Sequence, residues 1–320
     1  MIHFKGGVTK NYFCPDRHML SKDSLMFKKV LFPTDLSVAS QKIFHHIIHI
    51  PGIQEIILLH IVDATDHSII GLSHSEQLEN AKILLAEKQA FLETFDLKVR
   101  IIVKMIVSFR DEGSITTTIL DIANTENVSL IIMGVRRKSI LRDLFLPSIS
   151  SEVLRSAQTN VLIIHPDTME HHRAIAGHTS GRWIFSHILV PTDFSRHASE
   201  ALAFVRTIHG IEHVILLHVV TGENGNVPAD QAAQESGEKL ETLSRELTGS
   251  GIAVRHHVRA GDPTAMILSV SEEEDVSLIA MSPHGKSWFE DAVIGSTAFA
   301  VAHMATKPVL VIREHSPAPP

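Results

Sequence analysis

One module is written twice in this chain, and that duplication constrains its fold more than any other feature. Val30-Leu-Phe-Pro-Thr-Asp-Leu-Ser37 returns as Ile188-Leu-Val-Pro-Thr-Asp-Phe-Ser195, and Ile57-Leu-Leu-His-Ile-Val62 returns as Ile215-Leu-Leu-His-Val-Val220, both 158 residues on. Glu126-Asn-Val-Ser-Leu-Ile-Ile-Met133 returns as Glu274-Asp-Val-Ser-Leu-Ile-Ala-Met281, and Asn160-Val-Leu-Ile-Ile164 as Pro308-Val-Leu-Val-Ile312, both 148 residues on. Shared residues in the same order with a single change of spacing identify a tandem duplication. The ten-residue change falls between His60 and Gly113, where a surface helix and its loop absorb length most easily.

Each copy alternates short β-rich runs with helical stretches, the pattern of a parallel sheet with crossover helices. In the second copy the strands read at His187–Pro191, His213–Val219, Ala253–Val258, Val276–Met281 and Pro308–Ile312. These runs are largely apolar on both faces, as strands covered by helices on both sides must be. Helices read at Ala198–Thr207, Ala229–Leu247, Pro263–Ser271 and Ser296–Ala305, with Ser195 as N-cap of the first and Pro263 in the first turn of the third. The first copy repeats the order, with a longer second helix around Gln77–Thr94. The fold class is therefore α/β: two tandem, doubly wound, open parallel five-stranded sheets of Rossmann-like type. Pairing of Val161–Ile164 with Val309–Ile312 would cover two sheet edges and pack the halves as an internal pseudo-dimer.

The expected division is an N-terminal extension at 1–26, a first domain at 27–167, a linker at 168–185, a second domain at 186–315 and a frayed Pro-rich tail. No run approaches the roughly 20 apolar residues that span a bilayer, and no signal-peptide pattern follows the basic N-terminal residues. A single cysteine, Cys14, excludes an intrachain disulfide and a Cys-based zinc site. A cytoplasmic protein is expected. The net charge of −7 argues against a nucleic-acid partner. Of the 22 histidines, His45, His46 and His49 share a helix and His171, His172 and His178 share the linker. Neither group has a metal-ligand spacing motif, so solvated imidazoles are expected and no metal site is assigned.

In open parallel sheets ligands sit beyond the carboxyl ends of the strands, where strand order reverses. Two second-copy loops meet that description: Pro191-Thr-Asp193, and Met281-Ser-Pro-His-Gly-Lys-Ser287 running on to Gly295-Ser-Thr297. Gly295 frees the backbone for close approach, the amides of Ser296 and Thr297 open a helix, and Lys286 adds a positive charge. The same pattern also serves as an ordinary helix cap.

The order Pro-Thr-Asp-Phe-Ser, Leu-Leu-His-Val, Ala-Gly-Asp-Pro and Met-Ser-Pro-His-Gly-Lys-Ser with a distal Gly-Ser-Thr resembles the universal stress protein family, from about Lys28 to Arg313. That resemblance implies an adenine nucleotide alpha hydrolase-like fold binding ATP or another adenine nucleotide, with Mg2+ on the phosphates. ATP-binding members carry Gly-x2-Gly-x9-Gly-Ser/Thr after the fourth strand; here the second copy reads Ser282-x2-Gly285-x9-Gly295-Ser296-Thr297. Carried over by position, the resemblance assigns Asp193 and Val219 to adenine and Pro191 and Thr192 to the pocket wall. Gly261 falls to the ribose-side loop, Met281, Ser282, His284 and Gly285 to the lining, and Gly295, Ser296 and Thr297 to the phosphates. Asp193 also reads as a turn cap, and His284 as loop filler.

The first copy reads Gly134-x2-Arg137-x9-Pro147-Ser148. Arg137 brings bulk to a close-approach position and Pro147 lacks the amide hydrogen a phosphate would use. Asp35, Ile61 and Gly113 keep part of the pocket, and Arg136-Arg137-Lys138 reads as a solvated basic loop. This half is expected to be a degenerate site. The function expected is a nucleotide-binding regulatory module of the stress response. The alternatives are an adaptor that binds partner proteins without nucleotide, and an adenylyl-transfer enzyme. P-loop, nucleophile-elbow and zinc-helix motifs are all missing from the sequence, so at most slow ATP hydrolysis is expected. A homodimer of the whole chain is compatible with this reading.

Overall fold

The computed structural model describes residues 27–64, 74–106, 114–135, 149–165, 184–222, 229–249, 251–286 and 294–313. The extension at 1–26, most of the linker, the tail, Gly113, and the Arg136–Ser148 loop lie outside them, as do His171, His172 and His178. The first half runs β1 (Lys29–Pro33), α1 (Val38–Ile47), β2 (Glu55–Asp63), α2 (His74–Glu93), β3 (Lys98–Ile106), α3 (Ile115–Thr125), β4 (Leu130–Gly134), α4 (Ile149–Ser156) and β5 (Asn160–Ile164). The second runs β6 (His187–Pro191), α5 (Arg196–Val205), β7 (His213–Val220), α6 (Ala229–Thr248), β8 (Ala253–Ala260), α7 (Pro263–Glu273), β9 (Leu278–Met281), α8 (Ser296–Met304) and β10 (Val309–Val311).

The strands form one ten-stranded sheet in the order β3-β2-β1-β4-β5-β10-β9-β6-β7-β8. Each half is a parallel five-stranded sheet, and the two fuse through an antiparallel pair, Val309 opposite Ile163, Leu310 opposite Leu162 and Val311 opposite Val161. The expected pairing of the final strands is thus realised, and the two sheets become continuous.

Strand alternation then decides the core. On β5, and on β10 with the residue after it, Leu162, Ile164, Leu310 and Ile312 face one apolar layer, while Val161, Ile163, Val309 and Val311 face the other. Helices α1, α2, α5 and α6 cover the first layer; α3, α4, α7 and α8 cover the second. Phe27 and Phe185, equivalent residues of the two copies, meet at 5.8 Å between ring centroids, so the first layer is continuous across the pseudo-twofold axis.

The axis is also marked by equivalent positions that reach the same target with different chemistry. His165 Nε2 lies 3.1 Å from the Ala302 carbonyl, and the matching Arg313 Nη2 donates to the Leu154 carbonyl at 2.6 Å. Ser151 Oγ and His303 Nε2 are 2.7 Å apart, while the matching pair places Arg155 3.9 Å over the Phe299 ring.

Two expectations need correction. The second helices α2 and α6 are equal, each 20 residues, so the extra residues of the first copy lie outside this helix. A helix that must cross the sheet has its length set by the sheet; a surface loop does not. Strands β3 and β8 are not apolar on both faces either; they are the outer edges, and Lys98, Arg255, His256 and Ala260 are exposed there. No helix among the described residues is long and apolar enough to cross a membrane.

Candidate functional site

Strand order reverses between β6 and β9, whose neighbours β7 and β10 lie on opposite sides. The turn after β6 is built by its own residues. Thr192 N donates to Leu217 O at 2.8 Å, Thr192 Oγ1 accepts from Phe194 N at 3.1 Å, Asp193 Oδ1 accepts from Ser195 N at 2.9 Å, and Ser195 Oγ caps α5 through Ala198 N at 3.2 Å. This relay turns the chain through Phe194 at φ 61°, a left-handed conformation that costs a side-chain-bearing residue about 1 kcal/mol. The first half repeats it: Leu36 has φ 58°, Thr34 Oγ1 accepts from Leu36 N at 3.1 Å, and Asp35 Oδ1 accepts from Ser37 N at 3.0 Å. The Pro-Thr-Asp-x-Ser motif is therefore first a folding device, which explains its presence in both halves.

In the second half both oxygens of Asp193 are engaged. Oδ2 accepts from Lys286 N at 2.6 Å, tying the loop after β6 to the loop after β9. A Cβ on Gly285 would stand 2.7 Å from that same oxygen, so a side chain there would break the clasp. Gly285 is required by this approach, since its φ lies outside the left-handed range. The two sequence readings of Asp193 are thus joined: one oxygen caps the turn and the other reaches across the switch point.

Ser282 departs from the glycine of the first copy for a packing reason. At Gly134 a Cβ would meet Ile43 Cδ1 at 2.4 Å, whereas the residue equivalent to Ile43 in the second half is the small Ala201. The Ser282 hydroxyl turns into its own loop and donates to His284 O at 2.7 Å. Met281 ends β9, buried, and its carbonyl accepts from Ile312 N at 2.9 Å. His284 is half-buried with its ring 5.5 Å from His197 in an edge-to-face arrangement, and burial, then the neighbouring His197 and Arg313, lowers its pKa.

Gly295 closes the far side. Its amide donates to Pro283 O at 2.8 Å, and its position as N-cap leaves α8 with no side-chain cap ahead of Ser296 and Thr297. Val219 lies on β7, half-buried against the second apolar layer. Gly261 lies after β8 at φ 135°, a conformation reserved for glycine, and is tied to Val220 O at 3.1 Å. Asp193, Gly285, Lys286, Pro283 and Gly295 thus form one connected group; Pro191 and Thr192 lie just before Asp193 at the end of β6, Val219 is near the end of β7 and Gly261 follows β8.

Sequence reasoning missed three supports. His218 Nδ1 donates to Thr192 O at 2.8 Å, as His60 does to Thr34 O at 2.8 Å; the repeated histidine in both Leu-Leu-His runs was the available signal. Burial is the largest influence on His218 and lowers its pKa, keeping the ring neutral; with Nδ1 donating to Thr192, Nε2 is left without a proton. Phe194 packs on the His218 ring at 4.5 Å, with Lys239 and Lys286 ammonium groups 5.4 and 5.8 Å from its own ring. Lys286 was read for its charge, whereas its backbone amide makes the clasp.

The Universal stress protein family model matches residues 26–165 and again 185–313. The chain belongs to that family. A universal stress protein of Methanocaldococcus jannaschii is 31% identical, with the alignment covering 41% of this chain and 96% of the relative, the length of one copy. A Mycolicibacterium smegmatis relative, 25% identical, covers 74% of this chain and 78% of its own. The crystal structure of a universal stress protein from Archaeoglobus fulgidus aligns over 90% of this chain and 97% of its own, at 26% identity and a TM-score of 0.63.

Proposed function

We propose that this universal stress protein is a regulatory module that binds an adenine nucleotide, ATP in the first instance, in its second half. The observation that carries the reading is the Asp193–Lys286 clasp, which draws two loops together beyond the carboxyl ends of β6 and β9 at the reversal of strand order.

The residues fit the group. Gly285 and Gly295 keep side chains out of places where a Cβ would stand 2.7 Å from Asp193 Oδ2 and 3.2 Å from Pro283 O. The first-turn amides of α8 at Ser296 and Thr297 offer donors and the positive end of a helix dipole to a phosphate. In this reading Asp193, Val219, Pro191 and Thr192 hold the adenine, and Gly261 borders the ribose. Met281, Ser282 and His284 shape the lining, and Gly295, Ser296 and Thr297 hold the phosphates. Mg2+ would accompany the phosphates, because among the described residues no group of three ligand-type side chains gathers at this end of the sheet. The module works by binding; nothing in the arrangement calls for a dedicated general base.

Calorimetric titration of the full chain with ATP and Mg2+ tests the reading. One equivalent should bind, and Gly285→Val should reduce the affinity by about a hundredfold, since it forces the charge-assisted clasp apart. No heat, and no nucleotide released on denaturing freshly purified protein, would replace this reading with that of a protein-binding adaptor.

A further inference from the structure

At the opposite, amino-terminal ends of the strands both halves keep one arginine–glutamate pair, Arg100–Glu126 at 2.6 Å and Arg255–Glu274 at 3.0 Å, and differ beside it. In the first half, Lys29 Nζ donates to Glu126 O at 2.9 Å, and Glu55 pairs with Lys98 at 3.0 Å and Arg100 at 3.5 Å. The negative charge there is matched by cations of the chain. The second half has lost both lysines: His187 stands for Lys29, and Ala253, opposite His213 in the register, stands for Lys98. Glu212 replaces Gln54 and His213 replaces Glu55.

Strand register brings the new residues together. His187 and His213 are direct partners on β6 and β7, and their rings stack at 4.4 Å with 16° between planes. Together with Glu212 they present one ligand atom each within 4.8 Å of one another. The Nδ1 atom of His213 is buried and makes no hydrogen bond among the described residues. Ser186 fastens the group from behind: its carbonyl accepts from Glu212 N at 2.9 Å and His213 N at 3.0 Å, and its hydroxyl stands 3.2 Å from His187 Nδ1.

We propose that His187, Glu212 and His213 form a binding site for a divalent transition metal of the zinc class. Two imidazoles and one carboxylate suit Zn2+, and leave a coordination position for water. Ligand atoms about 2.0–2.1 Å from a tetrahedral ion stand about 3.3 Å apart, and the ion lies in the plane of each imidazole, so binding requires the stacked rings to tilt from their 16° arrangement as well as to draw closer. Glu212 is exposed and half-buried histidines flank it, so the ion has an open path and an adaptable third ligand. The site joins the start of β6, at Ser186 and His187, to the start of β7, and it is remote from the clasp at Asp193. Its occupancy is independent of the nucleotide reading.

The test is titration of the full chain with Zn2+, followed by calorimetry and thermal unfolding, against a variant that installs the first half's residues: His187→Lys, Glu212→Gln and His213→Glu together. The wild type should take up one tight equivalent and unfold at a higher temperature, an effect reversed by a chelator; the triple variant should lose that equivalent. Equal uptake by both proteins would assign the metal to other histidines and overturn the proposal, as would the absence of a tight equivalent in the wild type. Should the triple variant fail to fold, Glu212→Gln alone decides: a tenfold or greater loss of Zn2+ affinity supports the site, and unchanged affinity overturns it.

Discussion

The two halves share a backbone plan yet differ at both ends of their strands. Beyond the carboxyl ends, both build the same Thr-Asp turn, and both brace it with a histidine 2.8 Å from the threonine carbonyl. In the second half Asp193 reaches Lys286 N on the facing loop, across a gap that Gly285 leaves open. The corresponding loop of the first half carries Arg137 and Pro147 and lies outside the described residues. At the amino ends both halves keep an arginine–glutamate pair, and beside it the Lys98–Glu55 pair of one half answers to stacked imidazoles in the other. Duplication thus fixed what must fold, and left the rims of the sheet free to diverge, because rim residues contribute little to the shared core.

The core junction is where the halves should behave alike. Leu162 and Leu310 are fully buried and face each other across β5 and β10. Leu162→Ala and Leu310→Ala should each cost about 2–5 kcal/mol in urea unfolding, and agree within about 1 kcal/mol. A larger disparity would break the picture of one evenly shared junction.

At the site the halves should part. Gly295→Asp should remove ATP binding by crowding and repelling the phosphates, yet change stability by no more than about 1 kcal/mol, since the strong N-cap that Asp supplies at φ −69° offsets the tight 3.2 Å approach of its Cβ to Pro283 O. Loss of binding together with a fall in Tm would point to misfolding instead.

A pH effect should come from the second half. Burial lowers the pKa of His218, His284 and His303 below the ordinary 6.5, so the fold favours their neutral forms. The unfolded chain then binds more protons as pH falls below about 6.5, and stability declines from there through the lowered values. Tm should be constant from about pH 8 to 7 and drop by about pH 5.5; a flat profile would refute the assignment. Glu55 and Glu126, whose pKa values are lowered despite partial burial by Lys98, Arg100 and Lys29, act only in a separate window below the ordinary 4.5.

The smallest effect tests the packing exchange behind Ser282. Gly134→Ser should cost about 1–2 kcal/mol, as Ile43 Cδ1 must move from a Cβ 2.4 Å away. In an Ile43→Ala background, which mimics Ala201, the added cost should vanish, a coupling of about 1 kcal/mol in a double-mutant cycle.

Much of this was legible in the sequence. The repeats located the strands to within two residues at most ends, Ser195 was read correctly as a cap, and the loops containing Asp193 and Gly285 were the ones brought together. Hydrophobic period, turn residues and caps act over a few residues, so a sequence states them directly. The clasp oxygen, the exchange of Ile43 with Ala201, the pseudo-symmetric His165 and Arg313 contacts and the cluster at His187 were decided only by tertiary structure. Each depends on register between segments far apart in the chain, set by how the whole sheet assembles.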